Sequence, residues 1–134
     1  MYRSSAVVCC LLAVGCSPKV DEEKLAKQIA NQKLENEIAK FRWATLKIEM
    51  LEDACRMYKL KTAKFPGKLD DLYTMPSGMT QVQWGGPYLK DPVPKDLWRR
   101  PFRYKAMEET DQVEITSAGP DGEFGTDDDI SSGR

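Results

Sequence analysis

Residues 34–58 read LENEIAKFRWATLKIEMLEDACRMY, and the spacing of the apolar residues in this stretch decides the fold. Leu34, Ile38, Phe41, Thr45, Ile48, Leu51, Cys55 and Tyr58 follow one another in steps of three and four. Such steps put one stripe along one side of an α-helix. Helical composition extends beyond the stripe. From Asp21 to Thr62 there is neither Pro nor Gly, and Ala, Leu, Lys, Glu and Gln dominate. Pro18 precedes the segment, and Asp21, Glu22 and Glu23 put negative charge where the helix dipole favours it. Pro66-Gly67 ends it. A helix of about 40 residues extends about 60 Å at ~1.5 Å per residue, more than one small domain covers. Its C-terminal part is therefore expected to pack on the rest of the chain. Its N-terminal part, with Leu25 and Ile29 as the sizeable apolar residues, is expected to form a stalk. The same spacing also fits heptads, so a homo-oligomer through the long helix is the rival explanation.

Downstream, Lys68–Tyr73 reads as one short helical turn before Pro76-Ser77-Gly78. Residues 79–101 are rich in Pro, Gly and aromatics, which suggests an ordered loop pinned by Trp84, Tyr88 and Trp98. Two strand signals follow, Phe102–Met107 and Gln112–Thr116, with Val113 and Ile115 on one face. Glu108-Glu109-Thr110-Asp111 suits the hairpin connection between them. The expected fold class is α+β, a long N-terminal α-helix packed on a small antiparallel β-sheet, followed by a C-terminal loop over Ser117–Ile130.

The first residues differ from the rest. Arg3 supplies a short basic region and Ala6–Val14 an apolar one, far below the ~20 residues a helix needs to span a bilayer. The run ends in Ala13-Val14-Gly15-Cys16, which resembles the lipobox of bacterial lipoproteins, with Ala13 where that pattern prefers Leu. The resemblance implies a signal peptide over residues 1–15 and a covalent lipid on Cys16. An ordinary secretory leader with an incidental cysteine is the alternative. Ser17, rather than Asp, after the cysteine favours the outer membrane under the enterobacterial sorting rule. Cys9 and Cys10 would leave with the leader, so Cys55 remains as a free thiol, expected to be buried on the helix.

Composition excludes several functions. The 134 residues carry a net charge of −1, which gives no basic excess for nucleic acid. The chain has no histidine, which removes Ser-His-Asp and Cys-His catalysis and His-ligated zinc. Asp70-Asp71 and Glu108-Glu109 could supply acid/base pairs, but no nucleophile–base arrangement accompanies them, and such pairs usually sit on solvated surface. Trp84, Tyr88 and Trp98 could form a ligand platform, although anchors of a Pro/Gly loop more often serve as core.

The stretch Ser117-Ala118-Gly119-Pro120-Asp121-Gly122-Glu123-Phe124-Gly125-Thr126-Asp127-Asp128-Asp129-Ile130 carries the chemistry. Its aspartates are separated by glycines that permit tight turns, and it contains neither Lys nor Arg. Calcium takes roughly six to eight hard oxygen ligands, carboxylates and backbone carbonyls, and such a loop can offer both. The spacing is not that of an EF-hand. Composition alone leaves a solvated acidic tail equally open.

From about Phe41 onward, the order of features resembles the major pseudopilin of type II secretion systems. The matching stretches begin with Leu51-Glu52-Asp53-Ala54, Tyr58-Lys59-Leu60, Lys64-Phe65-Pro66 and Pro87-Tyr88-Leu89-Lys90. They continue with Val93-Pro94-Lys95-Asp96-Leu97-Trp98, Pro101-Phe102-Arg103-Tyr104 and the aspartate loop. The resemblance implies a pilin-like head over residues 41–134 and a loop that binds Ca²⁺ and holds the C-terminal segment against the sheet. Carried over by position, Asp121, Asp127 and Asp129 would supply carboxylates and Ala118 a carbonyl. The family begins with a prepilin-peptidase site and a hydrophobic helix, whereas this sequence reads as a lipidated N-terminus and helical stalk over residues 16–40. The expectation is a non-enzymatic, calcium-stabilised structural or interaction protein, lipid-anchored to the envelope and facing the periplasm. Its partners would be the membrane, through the lipid, and envelope or secretion-system proteins. A genuine pseudopilus subunit or accessory is the alternative, and a carboxylate-dependent hydrolase a third.

Overall fold

The computed structural model describes residues 21–132. Cys16 and the leader lie outside them. The chain divides into two units, Met1–Leu34 and Glu35–Arg134. In the first, residues 21–34 are exposed throughout, Leu25 and Ile29 included. Helix α1 (Glu22–Thr62) carries Glu22 and Glu23 in its first turn and Lys59 and Lys61 in its last, the charge order that complements its dipole. No helix among the described residues is long and apolar enough to cross a membrane.

In the second unit, α1 buries Ala44, Ile48, Leu51, Ala54, Cys55 and Tyr58. The expected stripe holds from Ile48 onward and departs before it. Ala44 is buried and Thr45 exposed, while Leu34 and Ile38 are 60% and 43% exposed. The helix ends at Ala63, whose φ of 64° is left-handed and whose N–H returns to the Lys59 carbonyl at 2.8 Å. A 3₁₀ turn follows at Leu69–Leu72, within the expected Lys68–Tyr73, where Asp71 accepts the Lys68 amide at 3.1 Å.

The stretch 79–101 contains one element the sequence reading did not include, the single turn α2 (Gln81–Trp84). Thr80 accepts from the Gln83 amide and the Gln83 side chain accepts from the Thr80 amide, a reciprocal cap. Trp84 is buried and its indole N–H donates to the Asp71 carbonyl at 2.8 Å. Tyr88 donates to the Trp84 carbonyl and packs on Tyr58, ring centroids 5.5 Å apart. Trp98 meets Phe41 edge-on at 5.8 Å.

The sheet has three antiparallel strands in the order β1 (Arg103–Met107), β2 (Gln112–Ser117), β3 (Ile130–Ser131). Strand β1 pairs with β2 from Arg103↔Thr116 to Met107↔Gln112, with Val113 and Ile115 buried, as the alternation predicts. Strand β3 was not anticipated. It pairs Thr116↔Ser131 and Ser117↔Ile130, so β2 has a neighbour on both edges where the acidic loop leaves and returns. The core joins Ile48, Leu51, Cys55 and Tyr58 of the helix to Phe65, Leu69, Leu72, Trp84, Leu89, Phe102, Val113 and Ile115. Tyr104 donates to the Pro66 carbonyl at 2.8 Å and ties β1 to the segment after α1. Lys59 bonds Asp111, lies 3.6 Å from Glu108 and sits 4.0 Å over the Phe65 ring. The bond to Asp111 holds its ammonium above its ordinary pKa. Helix and hairpin tip are thus linked by charge as well as by packing.

Candidate functional site: the acidic loop

The loop between β2 and β3 is shaped by two glycines. At Gly119, φ is 58° and a Cβ would lie 2.3 Å from the Asp128 carbonyl oxygen, so both conformation and space require glycine. At Gly122, φ is 80° and a Cβ would lie 2.2 Å from the Arg100 Cζ. These two absent side chains bring the loop's two arms together and admit a guanidinium against its back.

The carboxylates mostly turn onto their own backbone. Asp121 accepts the Glu123 amide at 2.9 Å, and Asp128 accepts the Asp121 amide at 3.2 Å and the Thr126 hydroxyl at 2.6 Å. The hydrogen bond from Thr126 is the largest influence holding the Asp128 carboxyl below its ordinary pKa. Asp129 Oδ2 accepts the Gly125 amide at 2.7 Å, while its Oδ1 is buried with no hydrogen-bond partner. Ala118 is 1% exposed, and its carbonyl accepts the Gly122 amide at 3.1 Å.

Of the residues singled out from sequence, Asp121 and Asp127 stand exposed in turns of this loop, Ala118 follows β2 directly and Asp129 directly precedes β3. Asp128 was passed over, yet it bridges the two arms. Its signal was its place in the run Asp127-Asp128-Asp129, in which the pattern does not say which acid turns inward. Among the described residues, no three Asp, Glu or Cys side chains gather closely enough to form a ready metal site. The donor chemistry nonetheless suits a hard cation. Every candidate ligand is an oxygen, and the Asp129 Oδ1 is a desolvated carboxylate oxygen with an unused lone pair, costly to leave without a positive partner.

The foot of the loop is fixed by Asp96, which is 4% exposed. Its Oδ1 accepts the amides of Trp98 at 3.0 Å and Arg100 at 2.7 Å, and its Oδ2 accepts the Ser117 hydroxyl at 2.8 Å. Sequence reasoning missed both Asp96 and Arg100 as parts of the site.

Other chemistry-bearing groups are otherwise engaged. Cys55 is buried, and its thiol is pushed up to about 12 by desolvation and then by Glu52, which keeps it protonated and poorly nucleophilic. Asp71 caps the 3₁₀ turn, and Glu108 and Asp111 face Lys59.

The family model described as type II secretion system protein G matches residues 29–133. Type II secretion system core protein G of Xanthomonas campestris pv. campestris is 34% identical over 82 residues, covering 61% of this chain and 56% of that protein. Its counterpart from Aeromonas hydrophila is 36% identical over 90 residues, covering 63% and 62%. The chain therefore spans less than two thirds of the length of these relatives. The major pseudopilin from the type 2 secretion system of enterohaemorrhagic Escherichia coli superimposes with a TM-score of 0.60 at 23% identity, over 73% of this chain and 86% of that one. At that identity the likeness is one of fold: a long N-terminal helix with a small antiparallel sheet.

Proposed function

The chain belongs to the type II secretion system protein G family, and from that premise we propose that it is a non-catalytic structural component of the secretion machinery. It faces the periplasm, contacts other secretion-system proteins through its pseudopilin-like head, and is held to the membrane by a lipid on Cys16. The observation that carries the reading is the match of the family model over residues 29–133. The lipid anchor rests on the Ala13-Val14-Gly15-Cys16 junction and on the basic Arg3 and apolar Ala6–Val14 segments before it.

We infer further that the acidic loop closes around calcium, with Asp121, Asp127, Asp129 and the Ala118 carbonyl as ligands and Asp128 bracing the loop. The orphaned Asp129 Oδ1 supports this reading. Bound there, the ion would offset the loop's negative charge and hold β3 on β2.

Deleting the gene and measuring type II substrates in the culture medium tests the role. Loss of secretion restored by the full chain is expected, as is palmitate labelling that Cys16→Ala abolishes. Secretion unaffected by the deletion would overturn the structural role, and an unlabelled wild-type protein would overturn the anchor.

A further inference from the structure

We propose that the Arg100 guanidinium is a built-in counter-cation of the acidic loop, and that it sets how far the loop depends on calcium. The proposal rests on the calcium reading above and adds a positioning residue to it. Arg100 Nη1 donates to the Gly119 carbonyl at 2.8 Å and reaches the Pro120 carbonyl at 3.4 Å. These are backbone oxygens of the kind a hard cation takes. The guanidinium reaches them only because Gly122 has no side chain, since a Cβ there would lie 2.2–2.5 Å from its Cζ, Nη1 and Nη2 atoms.

Its position is fixed from behind. The Asp96 amide donates to the Arg100 carbonyl at 2.9 Å, and the Arg100 amide donates to Asp96 Oδ1 at 2.7 Å. Asp96 Oδ2 takes the Ser117 hydroxyl at the point where β2 runs into the loop. One buried carboxylate therefore anchors both the arginine and the loop that the arginine touches. Between Ser117 and Ile130 the loop holds Asp121, Glu123, Asp127, Asp128 and Asp129 and no basic residue. A cation bonded to the loop's carbonyls lowers the mutual repulsion of those acids, as calcium would. Arginine suits this use because its guanidinium stays charged and directs several N–H groups in a fixed plane. Two cations that relieve the same repulsion are antagonistic: with Arg100 in place, the loop has less to gain from calcium.

The test uses the full chain, wild type and Arg100→Gln, with Arg100→Lys as the charge-conserving variant. Melting temperature is measured in chelator at low and high NaCl, and again in calcium. In chelator at low salt, Arg100→Gln is expected to melt roughly 5 °C below wild type. The gap should shrink at about 1 M salt, where the screening length falls to ~3 Å. It should shrink again in calcium, so that the calcium-induced rise is larger in Arg100→Gln than in wild type, with Arg100→Lys between the two. A gap of constant size across salt and calcium would reduce Arg100 to a packing role and overturn the proposal. If wild type ignores calcium, the calcium reading fails by itself, and the salt comparison still decides on Arg100.

Discussion

Replacing Asp96 with alanine should be among the most damaging single changes to a polar residue in this protein. The side chain is 4% exposed and accepts from the Trp98 amide, the Arg100 amide and the Ser117 hydroxyl. Hydrogen bonds to a charged group contribute about 1.5–3 kcal/mol each, but the three losses do not add fully because the strands and turn relax together. Trp98 and Arg100 are half-buried, so water can reach their freed amides, whereas Ser117 is fully buried and its hydroxyl stays without that partner. A loss of about 3 kcal/mol follows for Asp96→Ala, or roughly 12–24 °C in melting temperature for a unit of this size. Asparagine keeps the oxygen that serves both amides and turns an NH₂ toward Ser117, so Asp96→Asn should lose only about 1 kcal/mol. Urea unfolding followed by far-UV circular dichroism measures both, with an unchanged m-value as the check that the denatured state is the same. A loss below about 0.5 kcal/mol for alanine, within the range of ordinary surface changes, would refute the reasoning. So would equal losses for both variants.

Three further expectations follow from single features. Leu51 is fully buried at the centre of the helix face, so Leu51→Ala should cost about 2–5 kcal/mol by chemical denaturation, while Leu51→Met should stay within about 1.5. Ala63 holds a left-handed φ of 64° at the end of α1, so Ala63→Gly should stabilise the fold by up to about 1 kcal/mol despite glycine's looser unfolded chain. Cys55 should ignore a thiol reagent in the native state at pH 8 and react only once denaturant is added. The same residue gives a pH dependence. An unfolded Cys55 releases its proton near 9.0 whereas the folded one holds it to about 12, so the native state binds more protons in that window and stability should fall as pH rises through it. Tyr58, Tyr88 and Tyr104 are shifted upward mainly by desolvation and act in the same direction.

The long helix was legible because its period, charge order and lack of Pro and Gly all agree. Its buried face was legible only in part. From Ile48 the contact continues four residues back, to Ala44, and not three, to Thr45, and a small Ala leaves no mark in an apolar pattern. The hairpin was readable from alternation at Val113 and Ile115. Strand β3 was not, because two residues carry no period and its pairing is set by partners 13 to 15 positions away. The turn α2 had a signal in Thr80 and Gln83, but a single helical turn supplies no repeat to accompany it. In the site, the abundance of aspartates pointed to the loop, yet their roles depend on which backbone amides the curled chain presents. Arg100 was invisible for a plain reason. Its partners are main-chain carbonyls 19 and 20 residues downstream, and no side-chain motif encodes them.

The most direct test of the account is calorimetric titration of calcium into the chelator-treated full chain, paired with thermal unfolding. For a site with a dissociation constant near 0.1 mM, about 10 mM calcium adds about 2.7 kcal/mol, a rise in melting temperature of roughly 10 °C or more. One saturable site is expected, whose heat and stabilisation both disappear in Asp121→Ala and Asp129→Ala. No binding heat and an unchanged melt at 10 mM calcium, a concentration in large excess of the estimated constant, would contradict it and leave the acidic loop as a self-bonded turn braced by Arg100.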